Sequence, residues 1–426
     1  MPIKCQIRSA RKPATTAGVN VSSPPSAAPI GTPASDRALT RAIVLMSLAA
    51  FASGVSLRIS DPLLPQVAAD FGVRVGAASA IVTAYAVPYG FTQIFSGAIG
   101  DRLGKCQAVA LACAASGVLV LLCAVSQSLS QLTLARLVCA PGAAIIVPLG
   151  MAYIGDVVPY ERRQTMLARF MAGQMTGMIT GQIAGGIIGD HFGWRMVFVA
   201  VAGVFIVSGL ALASQFRGNP WTRPLQPEGA ARRGMVASYR ALGASGWARF
   251  IVLAAFIEGA IFFGGFTYVA ANLNTRFGLS YSTVGVIVAG FGAGCLLFAA
   301  TVHRTVPLLG ERGLVMGGGV VTMLAFLILA GEPVWELAPL ACVMLGFGYY
   351  MLHNTLQTNA TQMLPQARGT AMAGFSASLY LGQSVGVAAA APLVDRAGAL
   401  PLFATAAVLW VTLALWIAWR IGRRPA

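Results

Sequence analysis

Three ionisable side chains within long apolar segments of this sequence are candidates for chemistry. Glu258 and Asp61 are the only acidic residues inside these segments, and Arg136 is a basic residue within the fourth of them. An ionisable group at the centre of a bilayer costs about 2.5–3.5 kcal/mol on insertion scales. Each is therefore expected to bind a proton, pair with a partner or contact a solute.

Glu258 is the strongest of these three candidates for proton coupling. It lies nine residues after Arg249, which places it about 13 Å along a helix. Its sequence neighbours are apolar and offer no counter-charge. A dry carboxyl stays neutral and ionises when water or a cation reaches it. Glu258 is expected either to couple proton flow to an alternating cavity or to stay permanently protonated against a helix partner.

Asp61 lies near the far end of the first apolar segment, where Pro62 and Pro65 loosen a helix. Two interpretations stay open for it. It either contacts solute and water at the mouth of a cavity, or it pairs with Arg58 one turn earlier.

The elements that position these residues are long apolar helices. The chain has 426 residues, of which 57% are hydrophobic and only 10% charged. No soluble domain of this size hides so much apolar surface, so the sequence predicts an all-α membrane protein. Twelve membrane-spanning helices are predicted, at residues 40–66, 76–97, 106–125, 131–154, 165–189, 194–214, 248–271, 280–302, 313–331, 337–360, 369–392 and 399–420.

The twelve helices are predicted to form two parallel six-helix repeats. A shift of 205 residues aligns eight identical residues, among them Asp190 with Asp395 and Gly181 with Gly386. The expected organisation is a disordered basic tail (1–38), a six-helix bundle (39–214), a linker (215–247), a second bundle (248–420) and a basic tail (421–426).

The net charge of +16 is explained by topology rather than by nucleic-acid binding. By our assignment, 23 of the 29 Lys and Arg residues lie in the tails, the linker and the loops on the same side as the termini. Positive residues collect on the cytoplasmic side of membranes. We therefore expect a multi-pass protein of the cell (inner) membrane with both termini in the cytoplasm.

The loop after the second helix carries the most specific motif. Gly97, Asp101, Arg102, Gly104 and Lys105 stand in an order that resembles the motif between helices two and three of the major facilitator superfamily. The resemblance covers residues 40–420 and implies two bundles that rock around a central cleft.

The same resemblance implies that the loop acts as a cytoplasmic gate. Asp101 would then face the start of the eleventh helix, and Arg102 and Lys105 would pair with Asp156 or Glu161.

Two further motifs match this family in part. The segment around Arg136 resembles one whose arginine is linked to proton transfer, although Arg136 extending to the membrane surface is the alternative. The fifth helix resembles the antiporter motif and implies export. Its small residues predict close packing against another helix, and they are Gly173, Gly177, Gly181, Gly185 and Gly186.

Polar and aromatic side chains at helical spacing are candidates for the cavity wall, although hydrogen bonds between helices are the alternative explanation for them. They suit lipophilic substrates, including cationic ones. The candidates are Tyr85, Tyr89, Gln93, Phe262, Tyr268, Asn354 and Gln357.

These features favour a secondary active transporter, working by alternating access, that exports small lipophilic drugs or metabolites in exchange for protons. Its expected partners are a small-molecule substrate, protons and the lipid bilayer, with the chain acting as a monomer and without a cofactor. Proton-linked uptake of a sugar, organic acid or nucleoside is the alternative. A membrane-embedded enzyme would need a metal or nucleophile cluster, and the sequence offers none; a channel is disfavoured because no span carries a ring of polar residues.

Overall fold

The computed structural model describes residues 33–222, 235–331 and 334–423, and these residues are almost entirely helical. Short 3-10 turns occur at Asp61–Leu63, Pro220–Thr222, Trp335–Leu337 and Pro365–Ala367. The helices are α1 Pro33–Arg58, α2 Leu64–Asp70, α3 Val75–Ala78, α4 Ala80–Gln93, α5 Ser96–Leu103, α6 Lys105–Ala124, α7 Leu129–Val157, α8 Tyr160–Phe192, α9 Trp194–Ala213, α10 Met235–Ala244, α11 Gly246–Phe266, α12 Val269–Phe277, α13 Tyr281–Gly331, α14 Ala338–Gln362, α15 Arg368–Ala397 and α16 Ala399–Gly422.

The all-α membrane architecture predicted from the sequence is confirmed. Ten helical segments of the described residues are long and apolar enough to cross a membrane. The element α8 is not among the ten, and α13 holds a non-helical residue, Gly310, at φ 61°. The total of twelve spans therefore stays a prediction.

Two apolar cores organise the helices. One is built mainly from residues of α1 to α9, and the other from residues of α10 to α16. Between them, α8 packs against α13 and α4 packs against α15. Of the predicted terminal and linker segments, residues 1–32, 223–234 and 424–426 lie outside the described residues, whereas residues 33–38 already belong to α1.

The glycines of α8 allow α1 to approach its backbone. A Cβ at Gly181 would lie 2.8 Å from the Val55 carbonyl oxygen, and one at Gly185 would lie 2.8 Å from that of Ile59. Gly173 and Gly177 face α1 in the same way, whereas Gly186 faces Tyr281 of α13. The close packing predicted for this stripe is confirmed.

The bundle has two membrane-surface ends, the motif side and the opposite side. The motif side carries the turn at Gly104, whose φ of 81° favours glycine, between α5 and α6. The opposite side carries the turns that precede α3 and α13.

Candidate functional site

Glu258 forms a buried hydrogen-bonded pair with His353. Its side chain, on α11, is completely buried, and its Oε1 atom lies 2.8 Å from Nδ1 of His353 on α14. The apolar neighbours of Glu258 on its own helix offer no counter-charge, and the hydrogen-bond partner comes from another helix, as in the alternative that was left open for this residue. The imidazole comes from a residue 95 positions later, so helix packing rather than local sequence brings the two together.

Aromatic rings enclose this pair. The Tyr349 hydroxyl lies 3.2 Å from Nδ1 of His353, and the two rings stack at 5.1 Å. Phe375 of α15 lies 5.5 Å from the imidazole on another side. Among the described residues, Oε2 of Glu258 has no hydrogen-bond partner. The pair thus has one acceptor atom left to receive a proton or a cation.

Arg58 and Asp61 form a second buried charge pair at the boundary between the halves. Their side chains are 1% and 2% exposed, with Arg58 Nη1 lying 3.6 Å from Asp61 Oδ2. The guanidinium also lies 4.0 Å from the centre of the Phe263 ring on α11. Of the two interpretations left open for Asp61, this conformation has the pairing with Arg58, and Asp61 does not face water in it.

Arg136 is buried inside the first bundle rather than extended to the membrane surface. Its Nη2 donates to the Ser56 carbonyl oxygen at 3.3 Å, and its guanidinium carbon lies 3.8 Å from the Tyr85 ring centre. The alternative in which this arginine reaches the surface is therefore wrong, because its side chain is only 1% exposed and its head group contacts backbone carbonyl oxygens and the Tyr85 ring.

The cavity-wall candidates divide into two groups. Tyr85, Tyr89 and Gln93 are buried on α4, and Tyr89 meets Tyr380 of the other half at a ring distance of 4.6 Å. Asn354 and Gln357 on α14 are half-buried.

Phe262 and Tyr268 lie in packed surroundings. Phe262 contacts Tyr349 at a ring distance of 4.4 Å within the second core. The Tyr268 hydroxyl donates to Ser79 Oγ at 2.8 Å and approaches the Val387 carbonyl oxygen at 3.0 Å. In this conformation neither side chain is exposed to a cavity.

An ion pair connects the motif loop to α7. Lys105 Nζ contacts Oδ2 of Asp156, as predicted for one of the two basic residues. Asp101 and Arg102 are exposed on α5. The side chain of Glu161 lies outside the described residues, and the contact of Asp101 with the eleventh helix stays a prediction.

The opposite side carries two contacts that the sequence reasoning missed. Asp190, at the end of α8, accepts hydrogen bonds from the backbone N–H groups of Tyr281 at 2.9 Å and Ser282 at 2.6 Å. Asp395, at the end of α15, accepts one from Gly76 at 2.8 Å. The two aspartates are the residues aligned by the 205-residue repeat, so that alignment was the signal that could have found them.

The electrostatics of Asp190 fit this role. The small loss of solvent around the Asp190 carboxyl raises its pKa. The hydrogen bonds from Ser282 and Tyr281 outweigh that effect and hold the pKa below its ordinary value. The carboxylate therefore stays ionised at neutral pH and caps the positive end of α13.

Comparison with known proteins decides the family. The model of the Major Facilitator Superfamily matches residues 46–387 and 269–426. The chain belongs to this superfamily. The transporter YceJ of Bacillus subtilis (strain 168) is 25% identical over 340 residues, covering 80% of this chain and 86% of that one. The multidrug efflux protein YfmO of the same organism is 25% identical over 347 residues, covering 80% and 83%.

Solved structures of other transporters have the same fold. A bacterial homologue of the human lysosomal transporter Spinster, inward-facing and unoccupied, superposes with a TM-score of 0.72 at 17% identity, covering 93% of this chain and 99% of that one. The nucleoside transporter NupG gives 0.71 at 13% identity, covering 91% and 100%. This protein of the Major Facilitator Superfamily is thus a multi-pass membrane transporter, a class that binds small-molecule substrates.

Proposed function

We propose that this protein is a proton-coupled exporter of small lipophilic compounds, working by alternating access. The observation that carries the proposal is the buried pair of Glu258 and His353, with one carboxylate oxygen unpartnered among the described residues. A transporter driven by a proton gradient needs a group that exchanges a proton with each side of the membrane in turn. The pair provides such a group within an apolar and aromatic shell.

The pair holds one proton in either of two arrangements. An ionised Glu258 accepts a hydrogen bond from Nδ1–H of His353, and a protonated Glu258 donates to an unprotonated Nδ1. Arrival of a cationic substrate at the carboxylate displaces this proton, and return of a proton displaces the substrate. Because the proton and the cationic substrate compete for one carboxylate, binding of either releases the other. The result is exchange of substrate for protons.

The remaining candidates take supporting roles in this proposal. Arg136 and the pair of Arg58 and Asp61 form a buried charged cluster in the first half, which would respond to the charge state of Glu258 across the boundary. The motif side faces the cytoplasm, where the ion pair of Lys105 and Asp156 fastens the gate loop. Export is favoured by the partial antiporter motif on α8 and by the similarity to YfmO.

Proton-linked uptake of an organic acid is the second candidate, and one observation favours it. The buried charged side chains of the described residues are two arginines, two carboxylates and His353. When the Glu258–His353 pair holds its proton, the sum of these charges is positive, and an anion is then attracted. Proton and substrate would in that case bind together and move in the same direction.

Flux in everted vesicles distinguishes the two functions. Acidifying the vesicle interior drives accumulation of an exported cation, with ethidium as the first probe of a fluorescent panel. We expect nigericin, which dissipates the pH gradient, and Glu258→Gln to abolish this accumulation. The control Glu336→Gln changes an exposed acid and leaves it intact. Accumulation that survives nigericin would overturn proton coupling, and accumulation of aromatic acids under the opposite gradient would support uptake.

A further inference from the structure

A basic and aromatic groove opens on the lipid-facing surface of the second bundle at the motif side. It lies between the first turns of α11 and the last turns of α16 and has a volume of about 380 Å³. Its walls are formed by Gly246, Arg249, Phe250, Leu253, Trp416, Trp419 and Arg420. None of these residues belongs to the buried pairs described above, so the groove is not explained by proton exchange.

The two arginines of the groove, Arg249 and Arg420, are exposed. Within the described ranges, no acidic side chain lies within ion-pair distance of Arg249 or Arg420. The Arg420 guanidinium carbon lies 5.2 Å from the Phe250 ring centre, and that ring contacts Trp416 at 4.9 Å. Aromatic packing thus orients at least one guanidinium at the groove while its hydrogen-bond donors stay available.

The depth of the groove in the membrane fits a phospholipid. Arg249 is three residues after the start of α11, and Arg420 is two residues before the end of α16. Both guanidinium groups therefore lie at the level of the head groups, where tryptophan side chains also concentrate. Leu253, one helical turn deeper than Arg249, is 49% exposed and offers an apolar wall to an acyl chain.

We propose that this groove binds an anionic phospholipid. The phosphate group would accept paired hydrogen bonds from the two guanidinium groups, which match its geometry, while an acyl chain lies along Leu253 and the tryptophans. Basic pockets between helices on the cytoplasmic side are typical sites for acidic head groups. This inference does not depend on the direction of transport or on the proton site.

The first helix of the other half carries a similar groove. Arg37, Thr40, Arg41, Val44 and Leu45 of α1 line a surface cavity of about 560 Å³. Arg41 and Leu45 repeat the four-residue spacing of Arg249 and Leu253. The groove at α11 is the better defined of the two because a second helix contributes an arginine and two tryptophans to it.

Native mass spectrometry of the purified full chain tests the proposal. The protein is titrated with a synthetic phosphatidylglycerol and with a phosphatidylcholine of the same acyl chains. We expect preferential retention of phosphatidylglycerol, weakened about tenfold or more in Arg249→Gln/Arg420→Gln because each arginine near the surface contributes to attraction of anionic lipid. The control Arg276→Gln/Arg396→Gln removes two exposed arginines on the opposite side and keeps the preference.

A second variant separates charge from packing. Arg249→Lys/Arg420→Lys retains both charges but loses the paired geometry, so its preference is expected to lie between those of the unmodified protein and the glutamine variant. Equal retention of the two lipids by the unmodified protein would overturn the proposal, as would an undiminished preference in the glutamine variant. Full retention of the preference in the lysine variant would overturn the paired guanidinium contact with the phosphate. Because no substrate or gradient is present, the outcome is independent of the proposed transport function.

Discussion

Asp190 and Asp395 occupy equivalent positions in the two repeats, and each caps the first helical turn of a segment in the other half. Asp190 accepts backbone hydrogen bonds at the start of α13, and Asp395 accepts one at the start of α3. The internal duplication therefore places two related carboxylates across one surface. Since the halves must separate there when that surface opens, both contacts stabilise its closed form.

Replacing Asp190 with Asn is expected to shift the protein toward opening on the opposite side. The amide keeps an acceptor oxygen but loses the charge, and charge-assisted hydrogen bonds are worth about 1.5–3 kcal/mol. A cysteine introduced at the buried Ser60, also on that side, should therefore react about tenfold faster with a polar maleimide. Asp395→Asn should act in the same direction, and Glu336→Gln serves as the control. Equal labelling in all variants would show that the contacts do not hold the surface closed.

Substituting Gly181 with Ala is expected to destabilise the first bundle. The new Cβ would lie 2.8 Å from the Val55 carbonyl oxygen, so α1 and α8 must separate. Overpacking of this kind costs about 1–3 kcal/mol. Gly203→Ala is the matched control, because a Cβ there meets nothing within 4 Å. Thermal unfolding in detergent should show a lower midpoint for Gly181→Ala alone; a midpoint equal to that of the control would contradict the packing account.

Neutralising Arg58 is expected to destabilise the protein unless Asp61 is neutralised as well. Both side chains are buried, and removing one partner leaves an unpaired charge at a cost of about 3–5 kcal/mol. Arg58→Gln should lower the unfolding midpoint, and Arg58→Gln/Asp61→Asn should recover most of it. A double variant no more stable than the single one would indicate that the pair is not energetically linked.

Reversing the charge of Lys105 tests the fastening of the motif loop. The pair with Asp156 is partly exposed, so Lys105→Asp is expected to change stability by less than about 1 kcal/mol. It should nevertheless slow transport by favouring an open motif side. Lys105→Asp/Asp156→Lys restores the attraction and should restore the rate. If the double variant is as slow as the single one, the ion pair does not act as a gate contact.

The sequence was sufficient for the parts of this molecule that depend on local pattern. Apolar length predicts the helices, and glycine spacing on α8 predicts its close approach to α1, because both depend on residues within one helix. The one-turn spacing of Arg58 and Asp61 likewise offered their contact as one of two interpretations.

Patterns within one helix do not predict contacts between helices that are distant in sequence. His353 was unremarkable in sequence, and only the packing of α14 against α11 brings it to Glu258. Phe262 stands one turn from Glu258 and was expected at a cavity, yet the rotation of α11 directs it into the second core.

The central claim is that Glu258 gains and loses a proton, and its reaction with dicyclohexylcarbodiimide tests this most directly. The reagent attaches only to a protonated carboxyl in an apolar environment, and mass spectrometry locates the adduct on the peptide that contains Glu258. We predict strong labelling in membranes at acidic pH, a decline as the pH rises, and protection by a transported cation. Labelling of equal extent at every pH would mean a permanently protonated side chain and would contradict proton exchange at this site.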